Sequence, residues 1–162
     1  MENPRNSIIG CADTNKIPVR NPSKKWYVSL HKYNKKEFPP YVSGTAYIIS
    51  GEIVPKLLQA SQIIPFLDIE DVFVTGLCRE FIKAKVIKHE GFTCKYREPG
   101  PCGLHYIDMV TGHHFDPDEM VRMWKELNQR QGCRIIDSDW FSSWARIFKK
   151  WILRNFDRKL KI

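Results

Sequence analysis

Residues 38–62, FPPYVSGTAYIISGEIVPKLLQASQ, hold a stop, a strand, a cap and a helix in one run, and they decide the fold class. Pro39-Pro40 ends whatever precedes it. Tyr41 to Ser50 then reads as a buried strand, because aromatic and β-branched residues dominate it. Gly44 inside that strand marks a bulge or a close backbone approach. Ser50 follows as the N-cap of a helix through about Gln62, with Ile53, Val54, Leu57 and Leu58 as its apolar face and Pro55 tolerated in the first turn. Pro65 stops it.

Working outward, the chain up to about Ser23 is rich in Pro, Asn and Lys and reads as an extended lead-in, followed by a short strand candidate at Trp26 to Leu30. Downstream, a second helix begins near Glu70 and Asp71, whose acids suit the positive end of the helix dipole, and it would turn Phe73, Val74, Leu77 and Phe81 inward. Strands are expected around Val86 to Lys88 and Leu104 to Val110. Asp116-Pro117-Asp118-Glu119 is a strong helix start, with Asp116 as N-cap, Pro at the first position and Glu119 reaching back in a capping box. Met120, Trp124 and Leu127 would be its apolar stripe. Strands and helices alternate, which predicts an α/β layered architecture. Three or four strands make a thin sheet, hinting that part of the domain is absent.

At 162 residues, with 43% hydrophobic and 27% charged side chains, the chain has the size and composition of a folded domain. Its net charge of +8 is concentrated at one end: Arg146, Lys149, Lys150, Arg154, Arg158, Lys159 and Lys161 against Asp157 carry +6, leaving +2 for the rest. No basic face with interleaved aromatics appears in the body, so nucleic acid is not expected as a partner. In the tail, Trp140, Phe141, Trp144, Ile147, Phe148, Trp151 and Ile152 recur at helical spacing, so residues 131–162 read as a basic amphipathic helix that docks on the domain, lies on an anionic membrane or binds a partner. Five cysteines include no CxxC pair, which argues against a thiolate zinc site. Cys94 and Cys102 bracket a turn and could pair across it in an oxidising compartment; buried thiols are the alternative. No apolar run approaches the roughly 18 residues of a membrane span, and no signal peptide is visible at residues 1–15.

Four segments carry a resemblance. They are Lys25-Trp26-Tyr27-Val28-Ser29; Phe38-Pro39-Pro40-Tyr41-Val42-Ser43-Gly44-Thr45-Ala46-Tyr47; Glu70-Asp71-Val72-Phe73-Val74-Thr75-Gly76-Leu77-Cys78; and His113-His114-Phe115-Asp116-Pro117-Asp118-Glu119-Met120. In this order, over about Ile8 to Leu127, the chain resembles the β-1,3-galactosyltransferase and β-1,3-N-acetylglucosaminyltransferase family, glycosyltransferase family 31. The family usually has Cys where Val42 stands and Gly where Ala46 stands, which puts one family disulfide in doubt.

The resemblance implies that residues 1–130 are the C-terminal half of a GT-A-type, Rossmann-like catalytic domain, with a mixed sheet and flanking helices. The nucleotide-binding half, its Asp-rich metal motif and a membrane anchor would be missing. It implies a Golgi enzyme, lumenal side, that moves galactose or N-acetylglucosamine from a UDP-sugar to a glycan acceptor in β-1,3 linkage with inversion. Such a reaction needs a base to take the acceptor's proton. Asp71 matches the family's base, and Glu70 stands beside it, facing acceptor hydroxyls or solvent; without the resemblance either residue would read as a helix cap. His113 falls where the family completes a Mn2+ site, with His114 as the neighbouring register. Asp116-Pro117-Asp118 and Asp137-Ser138-Asp139 lie downstream of the base and are not taken as the metal motif. Ser43 and Gly44 would line the site, and Trp26, Tyr41 and Tyr47 could stack on sugar faces, although aromatics in strands more often pack in a core. Two other classes of function compete: a non-catalytic fragment or carbohydrate-binding remnant, and a basic membrane-surface or partner-binding module resting on the tail alone.

Overall fold

A computed structural model describes residues 4–128. Residues 131–162, where a basic amphipathic helix is expected and which include Cys133 and Asp137-Ser138-Asp139, lie outside the described residues. The described chain forms two compact units: residues up to Tyr96 together with Met109–His113, and Arg97–Asp108 together with the residues from His114 onward.

The first unit is a small mixed α/β structure. Its sheet has strand order β2-β1-β3, with β1 at Ser7–Asp13, β2 at Tyr41–Ile49 and β3 at Lys85–Lys88. β1 runs antiparallel to β2 and parallel to β3. The central strand is therefore drawn from the segment expected to be an irregular lead-in. SIIGCAD is short and flanked by Pro, Asn and Lys, but burial between two neighbours overrides that local signal. Ser7 is fully buried; its own hydroxyl donates to the Pro4 carbonyl, and its backbone groups are met by Ser50, whose hydroxyl accepts from the Ser7 amide at 2.9 Å and donates to its carbonyl at 3.0 Å. That contact is why Ser50 makes no side-chain cap: Gly51–Ile53 is a 3-10 turn, and α1 follows at Val54–Ile63. Ile53, Leu57 and Ala60 point inward, whereas Val54 and Leu58, expected on the apolar face, are exposed.

The second helix departs from regular geometry. Val72–Cys78 is π-helical and runs directly into an α-helical turn, Arg79–Phe81; the two together are α2 here. The altered hydrogen-bond step changes which residues share a face, so the buried set is Val72, Phe73, Thr75, Gly76 and Cys78, and the expected inward Phe81 is 56% exposed. Ile8, Val42, Ile53, Leu67 and Val72, each almost fully buried, make the centre of the core between sheet and helices.

Trp26 to Leu30 is not a strand. One parallel bridge joins Val19 to Tyr27, Val28 alone of that run is fully buried, and Arg20 holds the loop by donating to the carbonyls of Val28 and Lys35. Cys94 pairs with Cys11 of β1, their Cα atoms 5.8 Å apart, and not with Cys102. Proximity in sequence suggested the nearer partner, but the return of β3 alongside β1 brings the distant one into reach.

Leu104 to Val110 is not a strand either; in the second unit, Pro101–Tyr106 is a 3-10 helix. Gly103 takes φ 67°, and its bare Cα lets this turn lie against Leu127 of α3, Pro117–Asn128. The capping box forms as expected: the Glu119 amide donates to Asp116 Oδ1 at 2.8 Å and the Asp116 amide to Glu119 Oε2 at 3.4 Å. The buried face of α3 is Met123, not the expected Met120 and Trp124, which are 59% and 72% exposed. The 3-10 turn meets α3 at Met123 and Leu127, which shifts the covered stripe off Met120 and Trp124. Among the described residues no helix is long and apolar enough to cross a membrane.

Candidate active site

Four contacts bind α2 to the start of β2 in step along both elements. Arg79 donates to the Pro40 carbonyl. A Cβ on Gly76 would stand 3.2 Å from Tyr41 Cβ, so only glycine lets helix and strand approach this closely. The Thr75 hydroxyl meets both the amide of Val42 at 2.8 Å and its carbonyl at 3.0 Å. At the end of this seam, the Gly44 amide donates to Asp71 Oδ2 at 2.8 Å.

Gly44 can do this because β2 leaves the ladder there. Between the pairs Gly10–Tyr47 and Ala12–Val42, β1 advances two residues and β2 five. The intervening residues, Ser43 to Ala46, stand against Cys11 alone, bulge from the sheet and turn a backbone N–H toward the first turn of α2. A Cβ at Gly44 would lie 3.3 Å from Asp71 Oδ2, which answers the question the sequence left between a bulge and a close approach: both occur. The bulge is tied down at its far side as well. Thr45 donates to the Thr93 carbonyl at 3.0 Å, and the Thr93 amide donates to the Thr111 hydroxyl at 2.9 Å.

Asp71 is partly buried. Its other oxygen, Oδ1, accepts from the Val72 amide at 2.9 Å, a capping contact. Capping alone would explain one oxygen, but not the second, which reaches across to the bulge. A carboxylate offers about four acceptor positions, so two remain for an incoming hydroxyl.

Asp71 lies on the wall of a cleft of about 310 Å³ that is also lined by Lys16, Ile17, Val19, Trp26, Tyr41 and Ser43. Trp26 is 55% exposed and Lys25 covers its ring with Nζ 4.5 Å from the centroid. The Tyr41 phenol is pushed up to about 12, first by burial and then by the charges of Asp13 and Asp71, so at neutral pH it is a hydrogen-bond donor beside the carboxylate. Trp26, Tyr41, Ser43 and Asp71, drawn from three separate segments, thus line one cleft, and the Gly44 amide holds the carboxylate.

Glu70 is placed differently. Its carboxylate accepts from the Tyr47 hydroxyl, and it does not line the cleft. Burial first, then the hydrogen bond and charge of Glu70 and the charge of Asp71, raise the Tyr47 phenol well above its usual range. His113 is partly buried in the segment Met109–His113 of the first unit and is not among the cleft's lining residues. His114 begins the stretch assigned to the second unit, with its backbone at φ 65°. Among the described residues no three His, Cys, Asp or Glu side chains converge on a point that would hold a metal ion.

Sequence reasoning missed Lys16, Ile17 and Val19, because the lead-in offered no periodicity to place them. It also missed Thr75, whose only signal was a polar residue in an apolar helical run.

Residues 1–90 match the family model described as Galactosyltransferase. The chain is 30% identical over 130 residues to beta-1,3-galactosyltransferase 5 of Homo sapiens, an alignment covering 77% of this chain and 40% of that protein. It is 38% identical over 125 residues to beta-1,3-galactosyltransferase 5 of Pan paniscus, covering 74% and 40%. With beta-1,3-galactosyltransferase 2 of Mus musculus the identity is 30% over 115 residues, covering 70% and 27%. The chain belongs to the galactosyltransferase family, and it spans 40% or less of the length of these relatives.

Proposed function

We propose that this chain is the acceptor-side part of an inverting hexosyltransferase of GT-A type that moves galactose from UDP-galactose to a glycan hydroxyl in β-1,3 linkage, with Asp71 as the base. The observation that supports it is the carboxylate of Asp71, held by the Gly44 and Val72 amides on the wall of a cleft that also carries an exposed tryptophan. Galactose is preferred over N-acetylglucosamine because the similar proteins carry galactosyltransferase names.

In the step proposed, the acceptor oxygen attacks the anomeric carbon while Asp71 takes its proton. The bond from that carbon to the diphosphate breaks, and UDP leaves with the electron pair. Two backbone N–H groups aim the carboxylate and leave acceptor positions open for the hydroxyl. Trp26 would offer a ring face to the sugar, and the Tyr41 phenol, neutral at working pH, a hydrogen bond. The reading carries with it Mn2+, whose role when bound is to neutralise the departing diphosphate. The resemblance offers His113, or His114 in the neighbouring register, as a ligand, and the described residues do not make up a site, so no step is derived through the metal. Residence on the lumenal side of the Golgi membrane also belongs to the reading; the Cys11–Cys94 disulfide, which needs an oxidising compartment, supports it.

The test is a chimera in which residues 1–128 replace the corresponding part of a beta-1,3-galactosyltransferase. Transfer from UDP-galactose is expected, and Asp71→Asn should lower turnover by roughly 100- to 10,000-fold while donor affinity is kept. Near-normal turnover in the mutant would sink the assignment. A glycan bound by the unmutated chimera without any transfer would instead favour a carbohydrate-binding remnant.

A further inference from the structure

Thr75 is the one fully buried polar side chain in α2, and its hydroxyl is more heavily used than helix formation requires. It accepts from the Val42 amide at 2.8 Å. Its own proton is within reach of two carbonyls, Val42 at 3.0 Å and Asp71 at 2.6 Å. One oxygen therefore contacts the backbone of the strand and the backbone of the proposed base at once.

We infer that Thr75 is a positioning residue for Asp71, acting as the clasp that sets the spacing between β2 and the first turn of α2. Val42 is the last ladder residue before the bulge, and Gly44, two residues on, donates to the Asp71 carboxylate. On the helix side, Asp71 is four residues before Thr75 and its carbonyl is the clasp's second partner. The Gly44–Asp71 bond is exposed, so by itself it is a weak constraint, open to competition from water. The clasp behind it is buried, where an unmade bond is costly, and this asymmetry makes Thr75 the determinant and the carboxylate contact the dependent. Val72 and Phe73 hold α2 against the core without the hydroxyl, so removing it should leave the helix docked but free to slide by a fraction of an ångström.

The inference rests on the reading of Asp71 as the base, but it is tested without an activity measurement. In the full chain labelled with 15N, the Gly44 amide proton should shift with pH as the Asp71 carboxylate titrates, and Asp71→Asn should abolish that shift. Thr75→Val keeps the volume and removes the hydroxyl. It is expected to suppress the pH-dependent shift of Gly44 and to raise exchange of the Gly44 and Val42 amides by roughly tenfold, the scale of one lost buried hydrogen bond. Amides of β1 and β3 should stay as they were. Thr75→Ser, which keeps the hydroxyl, should restore both signals. If Thr75→Val does not fold, Thr75→Ala removes the same group without a buried branched methyl and decides by the same signals. A wild-type Gly44 titration in a folded variant lacking the hydroxyl would overturn the inference, as would failure of serine to restore it. Loss of the base reading looks different: transfer would survive Asp71→Asn while the Gly44 signal still depended on Thr75.

Discussion

At the scale of single residues, the site is governed by what surrounds each ionisable group. Tyr41 keeps its proton in the folded chain to about 12 because burial and two nearby carboxylates oppose a phenolate, whereas an unfolded tyrosine releases it near its ordinary value of 10.0. The unfolded state therefore loses protons first, and the contribution of Tyr41 to stability should be fully present below pH 10 and be lost as pH rises from 10 to about 12. Tyr33, Tyr47 and Tyr106, also raised by burial, act in the same direction. Melting temperatures measured across this window should decline less steeply for Tyr41→Phe than for the wild type; an identical slope would remove Tyr41 as a contributor. Asp71 and Gly44 were both legible in the sequence as candidates. That they touch each other was not, because nothing in a linear pattern couples a strand glycine to an aspartate 27 positions away.

At the scale of elements, the seam between β2 and α2 is the feature on which the cleft depends. Its closest approach is at Gly76, where an added methyl would come within 3.2 Å of Tyr41 Cβ and 3.5 Å of Pro39 Cγ. Gly76→Ala should force helix and strand apart and cost about 1–3 kcal/mol, the usual penalty for overpacking. Chemical denaturation would give the loss, and an unchanged midpoint would mean the seam yields without strain. The strand β2 was readable because aromatic and β-branched residues concentrate there. The course of α2 was readable only as helical; its π-helical geometry decides which residues face inward, and periodicity assumes the ordinary repeat. β1 was missed for a related reason. A central strand of Ser, Gly, Cys and Ala among isoleucines is held by its two neighbours, and neither neighbour is visible from within it.

At the scale of the whole molecule, the first unit is closed by the disulfide between Cys11 in its central strand and Cys94 beyond β3, spanning 83 residues of chain. Loop-closure entropy for a span of that size corresponds to roughly 4–5 kcal/mol. Reduction, or Cys11→Ser with Cys94→Ser, should therefore lower the unfolding free energy by an amount of this order; a loss below about 1 kcal/mol would show that the sheet alone holds these strands together. Cys78, buried and with its thiol pushed up by burial, should stay unreactive toward thiol reagents until the unit unfolds. By itself the sequence determined the family through four ordered motifs, the strand after Pro39-Pro40, β3, the capped start of α3, and Asp71 as a candidate base, because each is written in neighbouring residues. Tertiary structure alone decided the central position of β1, the partner of Cys94, the bulge that aims Gly44 at Asp71, and the cleft that gathers Lys16, Trp26 and Tyr41. Each of these depends on segments far apart in the chain being packed together, and packing is set by burial of shared surface, a quantity that no local pattern contains.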